Sequence, residues 1–407
     1  MPSSKSECIF IIVSLLAIGI FLEAALRVLH VRYDASFYTA DSELGWALRP
    51  GAEGWFVSEG SQYVRINGAG FHDREHAIAK PADTLRIAVL GNSWTEAMQI
   101  PVDKTFPSVL ERDLSGCTSF RGRTKVEVLN FGVSGYSTAQ EFLLLHNRVW
   151  KYQPDIVLLA FYTAKDVFNN VRSLNNAAAP EQSPYYVYRR GRFVLDDSFR
   201  NLPQVHGRNI KLQNLRGSIA DHFLLFEAVN HVVRSLRVIA ARNVLAAQAE
   251  RLGTKSLDDT IYAPPQTPIL DEAWKVTEGI LLMMRDEVRS HGAEFRIVNL
   301  ANRPQVNPNL AAQEAYLQKL ALTNLAYPDE RLTAFAHDAQ IPITLLAPKL
   351  AFYSRSHHVF LNGFENTAPG EGHWNELGHR LAGDAIAADL CATPIPQSAD
   401  HLVSALP

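Results

Sequence analysis

Cysteine is nearly absent from this chain: Cys8, Cys117 and Cys391 are the only three in 407 residues. The number is odd, and there is neither a C-x-x-C pair nor a neighbouring histidine at zinc spacing, so a disulfide framework is excluded and no metal site is expected. A single bridge between Cys117 and Cys391 stays open for an oxidising compartment. Charge of one sign is equally scarce, since 39 basic against 42 acidic side chains leave a net charge of −3. Such a balance offers neither the basic surface that nucleic acid requires nor the like-charge block of a disordered tail. The glycine fingerprint of a dinucleotide site and the phosphate-cradling G-x-x-x-x-G-K-[ST] are missing too, so no organic cofactor is expected.

Long apolar runs are also lacking, with one exception. Cys8 to Leu22 reads CIFIIVSLLAIGIFL and continues through Glu23 and Arg27 into Val28-Leu29. The uninterrupted run falls short of the roughly 20 residues of a bilayer span, but Glu23 and Arg27, four apart on a helix, can pair near the interface. A cleaved signal peptide is the rival reading. No small-x-small site follows the run, which favours an uncleaved anchor over residues 1–33. Lys5 precedes the segment and Arg27 and Arg32 follow it, so charge leaves the orientation open.

Residues 34–83 are punctuated by Gly45, Pro50-Gly51, Gly54, Gly60 and Asn67-Gly68, with Trp46, Trp55, Phe56 and Tyr63 between them. Short strands and hairpins fit this β-rich extension. From Thr84 apolar runs such as LRIAVLG, VEVLNFG and DIVLLAFY alternate with helical patterns, which predicts an α/β domain over 84–392 with a parallel sheet covered on both faces. The rhythm lapses over about 171–292, read as a helical insertion, and resumes at FRIVNLA. A tail covers 393–407. Within the insertion Leu225, Val229, Val232, Leu236 and Ile239 form one helical stripe running toward Gly253. It either packs on the main body or serves as a partner-binding or lid helix. Tyr185 to Arg192, aromatic and basic, reads as a hairpin turning at Gly191.

Ligands bind at the carboxyl edge of such sheets, and three loops there carry the informative residues. In Gly91-Asn92-Ser93-Trp94 the serine follows a buried strand and opens a helix. That places its hydroxyl at the edge and its amide at the positive helix end, suiting a nucleophile beside an oxyanion. Asn130-Phe-Gly132-Val-Ser-Gly135 can turn unhindered amides toward a ligand. Tyr162-Thr-Ala-Lys165-Asp166 adds a cation and a carboxylate. A serine needs a base, and His373, in a loop ahead of the last helical pattern, is suited to that role. His373 and His379 are six apart, which does not put two metal ligands on one helix face.

The order of these pieces resembles the SGNH, or GDSL-like, hydrolase superfamily in its membrane-anchored bacterial form, from about residue 84 to 391. The resemblance implies a flavodoxin-like doubly wound topology. It also implies Ser93 as nucleophile, Gly135 and the position of Lys165 in the oxyanion hole beside the Ser93 amide, and His373 as base. Glu43-Leu-Gly-Trp-Ala-Leu-Arg-Pro-Gly51 and Asn67-Gly-Ala-Gly-Phe71 resemble the amino-terminal extension of such proteins. Three positions depart from the pattern. Asn92 replaces an aspartate; Lys165 replaces an asparagine, trading fixed geometry for charge; and Gly370 stands where an Asp-x-x-His motif has its carboxylate. Glu371 is then the nearest carboxylate to His373, with a Ser-His dyad as the alternative.

The sequence therefore predicts an O-acyl or O-acetyl ester hydrolase acting on a small-molecule, glycan or lipid ester of the cell envelope. Its partner is the membrane, through the N-terminal helix, and the catalytic domain is placed in the periplasm. An O-acyltransferase using the same pair and a catalytically silent glycan-binding or scaffold descendant are the alternatives.

Overall fold

The computed structural model describes residues 3–117, 123–175, 177, 179–236 and 257–392, with side chains from residue 6 onward. In chain order the elements begin with α1 (Ser3–Val28) and two antiparallel hairpins, β1 (Tyr38–Asp41) with β2 (Gly45–Leu48) and β3 (Glu53–Phe56) with β4 (Gln62–Arg65). Then come β5 (Thr84–Gly91), α2 (Ser93–Glu96), α3 (Phe106–Leu114), β6 (Lys125–Gly132), α4 (Thr138–Leu144), β7 (Ile156–Phe161) and α5 (Thr163–Asn169). A third hairpin, β8 (Tyr185–Arg189) and β9 (Arg192–Asp196), turns at Arg190-Gly191 and leads to α6 (Gly207–His222) and to α7, helical over 224–236. The chain closes with α8 (Pro268–Ser290), β10 (Glu294–Asn299), α9 (Leu310–Leu320), α10 (Tyr327–Asp338), β11 (Ile343–Leu345), α11 (Ala347–His357) and α12 (Glu376–Ala392).

The central sheet runs β11-β10-β7-β5-β6, all parallel. Counting its strands in chain order, the spatial order is 2-1-3-4-5, the flavodoxin-like doubly wound topology that the sequence predicts. Side chains alternate across a strand, and β7 shows the result. Val157, Leu159 and Phe161 enter the layer of α4, α8 and α10, while Ile156, Leu158 and Ala160 enter the layer of α3, α11 and α12. Both faces are covered, so the strands read as continuous apolar runs. Cys117 and Cys391, beside the packed pair α3 and α12, are joined as a disulfide with Cα atoms 6.0 Å apart. The segment read as an insertion ends in α8, which packs on β10 and covers the sheet.

Three features outside the sheet bear on function. The hairpins of the extension enclose a small core of Phe37, Leu48, Val64 and Ile66 that takes in Met98, just beyond α2. The helix α1 is long and apolar enough over Ser6–Val28 to cross a membrane, with a mean hydropathy of 2.7, and its apolar window is unburied. The predicted stripe falls on α7, where Leu225 is half-buried but Val229, Val232 and Leu236 face outward; Ile239 and Gly253 lie outside the described residues. The C-terminal tail lies outside them as well.

Candidate active site

At the end of β5 the chain enters α2 without a linker. Asn92 caps that helix by accepting the Trp94 amide at 3.2 Å, which leaves Ser93 as its first residue, at the sheet edge. From the opposite end of the sequence, His373 arrives in the loop before α12. Its Nε2 lies 2.8 Å from Ser93 Oγ, a hydrogen bond across 280 residues. The imidazole is packed 5.0 Å from the Trp94 ring, and Trp94 in turn contacts Tyr162 and Trp374.

The carboxylate beside this imidazole is Glu59, on the loop joining β3 to β4, and not Glu371. Glu59 Oε2 lies 2.5 Å from His373 Nδ1, and its other oxygen accepts the His373 backbone amide. Gln99 Nε2 adds a longer contact at 3.3 Å. Burial pushes the Glu59 carboxyl up, but the His373 hydrogen bond and charge, the His373 amide and Gln99 together outweigh it. The net shift is downward, so Glu59 is a carboxylate when it meets the imidazole. Glu371, more than half exposed, points away and pairs with Arg303. The correction has a steric cause. Gly370 has φ of +80°, and a Cβ there would lie 2.7 Å from the Phe360 ring, so an Asp-x-x-His carboxylate has no room. Gly372, with φ of +76°, presents bare backbone where a Cβ would collide with Glu59 Oε1. The loop excludes a carboxylate of its own and admits one from outside.

The Glu59 loop is itself fixed. Asp34 accepts the amides of Val57 at 2.6 Å and Ser58 at 2.9 Å as well as the Ser58 hydroxyl. Asn366 accepts the Gly60 amide at 2.7 Å and donates to the Val57 and Gly60 carbonyls, stitching this loop to the one that carries His373.

Gly135 lies in the loop after β6 with φ of +79°. Trp46 of β2 packs on it and donates Nε1–H to the Ser134 carbonyl at 2.9 Å. The Ser134 amide goes to buried Glu96, which also accepts the Tyr38 hydroxyl; burial pushes Glu96 up to about 7. The extension therefore holds two of the three loops. Lys165 sits in α5 with its ammonium 3.3 Å from Asp258 Oδ1, so the structure brings it to that carboxylate.

Asn92 has a reason in the structure. Its Nδ2 donates to buried Asp166 at 2.8 Å, and Asp166 also accepts the Tyr162 amide at 2.7 Å. Burial lifts Asp166 to about 7 and, reinforced by the Asp166 charge, lifts the fully buried Glu141 well above the usual carboxylate range. An aspartate at 92 would be a third carboxyl beside this pair, whereas the asparagine amide supplies a donor. His379 is a core residue: it is fully buried, accepts the Phe106 amide at 3.2 Å and is pushed by burial down to about 3.

The structure brings together Ser93 and His373, both singled out in the sequence, and sets beside them Glu59 and Gln99, which were not. In the structure Ser93 follows the first strand of the doubly wound sheet and His373 precedes its last helix. No family model matches the sequence, and no curated protein does. Among solved structures the chain is similar to a catalytic mutant of an acetylxylan esterase from Geobacillus stearothermophilus, at 8% identity over 75% of this chain and 94% of that one, with a TM-score of 0.37. It is likewise similar to a GDSL-like lipase from Bacteroides thetaiotaomicron, at 12% identity over 77% and 91%, with a TM-score of 0.32. A two-domain esterase active on acetylated mannans matches at 11% identity over 77% and 52%, with a TM-score of 0.36.

Proposed function

We propose that this chain is a membrane-anchored serine esterase of the SGNH type. The observation that carries the reading is the row Ser93 Oγ, His373 Nε2, His373 Nδ1, Glu59 Oε2, with contacts of 2.8 and 2.5 Å. A hydroxyl is a poor nucleophile at neutral pH unless a base takes its proton, and an imidazole serves when a carboxylate holds its other nitrogen in the right tautomer. Ser93 Oγ attacks the ester carbonyl while its proton passes to His373 Nε2. The tetrahedral intermediate collapses, His373 returns that proton to the departing alcohol, and an acyl-serine remains. Water, deprotonated by His373, then releases the carboxylic acid and restores the serine. The amides of Ser93 and Gly135 hold the oxyanion, and Lys165 adds positive charge at the same edge, balanced in the resting chain by Asp258.

The substrate class is an O-acyl or O-acetyl ester on a cell-envelope glycan or lipid. This rests on the resemblance of the motifs and on the anchor. The anchor is read as uncleaved because Glu23 and Arg27 in its last turns bond to the body of the protein: Glu23 accepts the amides of Leu224 and Leu225, and Arg27 donates to the His222 carbonyl. The joined Cys117 and Cys391 suit an oxidising compartment, hence a catalytic domain outside the cytoplasm.

Covalent labelling by a fluorophosphonate tests the chemistry on the full chain in detergent. The parent takes the label, and Ser93→Ala and His373→Ala lose it. A folded parent that takes no label overturns the reading. Acid released from a model acetyl ester with water as the only acceptor separates hydrolysis from transfer to a sugar.

A further inference from the structure

A membrane-spanning helix fixes the depth of whatever is bonded to it. The apolar span Ser6–Val28 has 23 residues, about 34 Å of helix at 1.5 Å each, close to the roughly 30 Å of a hydrocarbon core. Glu23 therefore lies about 7 Å inside its C-terminal end. Both oxygens of that carboxylate are used at the elbow between α6 and α7, where they accept the amides of Leu224 at 3.1 Å and Leu225 at 2.8 Å and cap α7. Arg27 closes the same elbow on the His222 carbonyl at 2.7 Å, and Tyr33 packs against His231 further along α7. The elbow is thus held just inside the boundary between the acyl chains and the headgroups.

What the elbow exposes matches that depth. Leu215 and Ile219 in α6 with Phe223 just past its end, and Val229, Val232 and Leu236 in α7, are spaced three and four apart within each group, and each is between 39% and 61% exposed. Arg208, Lys211 and Arg216 stand exposed beside the α6 stripe. Two helices that carry exposed apolar ridges, one of them flanked by basic side chains, and that join at the end of a bilayer span suit a position in the membrane surface, where an apolar ridge sinks into the headgroup and acyl boundary and basic side chains favour anionic lipid. We propose that α6 and α7 lie in the membrane surface as a monotopic foot, so that the protein is held by a span and two in-plane helices, with anionic phospholipid as the partner of the basic flank.

The foot also reaches toward the site. Arg234 of α7 donates to the Asp34 carbonyl and to Ser36 Oγ, each at 2.5 Å. The side chain of Asp34 is the one that fixes the amides of the Glu59 loop. Seating α6 and α7 in lipid therefore sets the height of the serine above the bilayer.

Photo-crosslinking of the full chain in vesicles tests the proposal. Benzoylphenylalanine is placed in turn at 11 in the anchor, at 223 and 232 in the foot, and at 352, a still more exposed position on α11. In phosphatidylcholine vesicles containing phosphatidylglycerol, mass spectrometry is expected to find lipid adducts at 11, 223 and 232 and none at 352. The combined Arg208→Gln, Lys211→Gln and Arg216→Gln variant is expected to lose adduct at 223 in phosphatidylglycerol vesicles and to match the parent in phosphatidylcholine alone. Lipid adducts at 11 with none at 223 and 232 overturn the foot and leave the anchor standing. Crosslinks from 223 or 232 to a second copy, or to residues 237–256 of the same chain, overturn it by naming another occupant.

Discussion

Glu59 meets His373 across 314 residues, and no local pattern announces it. Ser93 and His373 were legible because a serine opening a helix after a buried strand, and a loop histidine before a last helix, have fixed places at a sheet edge. A carboxylate in a hairpin loop has none. The only sign was a vacancy, the glycine at 370. Glu59→Gln is expected to lower kcat by roughly 10³ to 10⁴-fold, the scale at which a triad carboxylate acts, whereas Glu371→Gln, which loses only an exposed ion pair, leaves kcat within about twofold. Steady-state hydrolysis of a p-nitrophenyl ester compares the two. Asn92→Asp is expected to destabilise the fold. The new carboxyl would sit beside Asp166 and Glu141, so its folded pKa is raised above its unfolded value near 4. Between those two values the unfolded state binds fewer protons than the native state, so stability falls as pH rises. The penalty is expected to grow from small at pH 4 to about 2 kcal/mol at pH 8, as read from denaturant melts.

Elements set the precision of the site more than single contacts do. The strands of the sheet were readable because burial on both faces leaves an apolar run, and the 2-1-3-4-5 order then places the loops after β5, β6 and β7 along one edge. The hairpins of residues 34–66 were readable as hairpins but not as catalytic scaffolding. Turn-rich sequence shows where a chain reverses and is silent on what the loop touches. The helix α7 was readable as a stripe, yet periodicity cannot say whether a stripe faces protein or lipid, and here it faces outward. The loop carrying Glu59 depends on the Asp34 carboxylate for its amides, so Asp34→Ala should loosen the loop and leave the sheet intact. A fall of about tenfold in kcat/KM is expected, some 1.4 kcal/mol of transition-state stabilisation, with little change in far-ultraviolet circular dichroism. An unchanged kcat/KM would show that the loop holds itself.

The whole molecule is a shared construction. The domain from residue 84 onward holds Ser93 and His373, but the extension supplies Glu59, clamps the Gly135 loop through Trp46 and meets Glu96 through Tyr38. The extension also lends Leu44 and Phe71 to the main core, so the test keeps the chain whole: Glu59→Ala is expected to label with fluorophosphonate at least about 10³-fold more slowly than the parent. Equal labelling of the two would place catalysis in the domain alone. The positions 59, 93 and 373 also set an order in time. During synthesis the carboxylate and the serine leave the ribosome early, while the histidine waits for the loop before the last helix. The row closes by contacts across 314 and 280 residues, the long-range kind that is slow to form in folding. On the proposed reading, the serine is thus kept without its base throughout synthesis and gains it only on a finished chain.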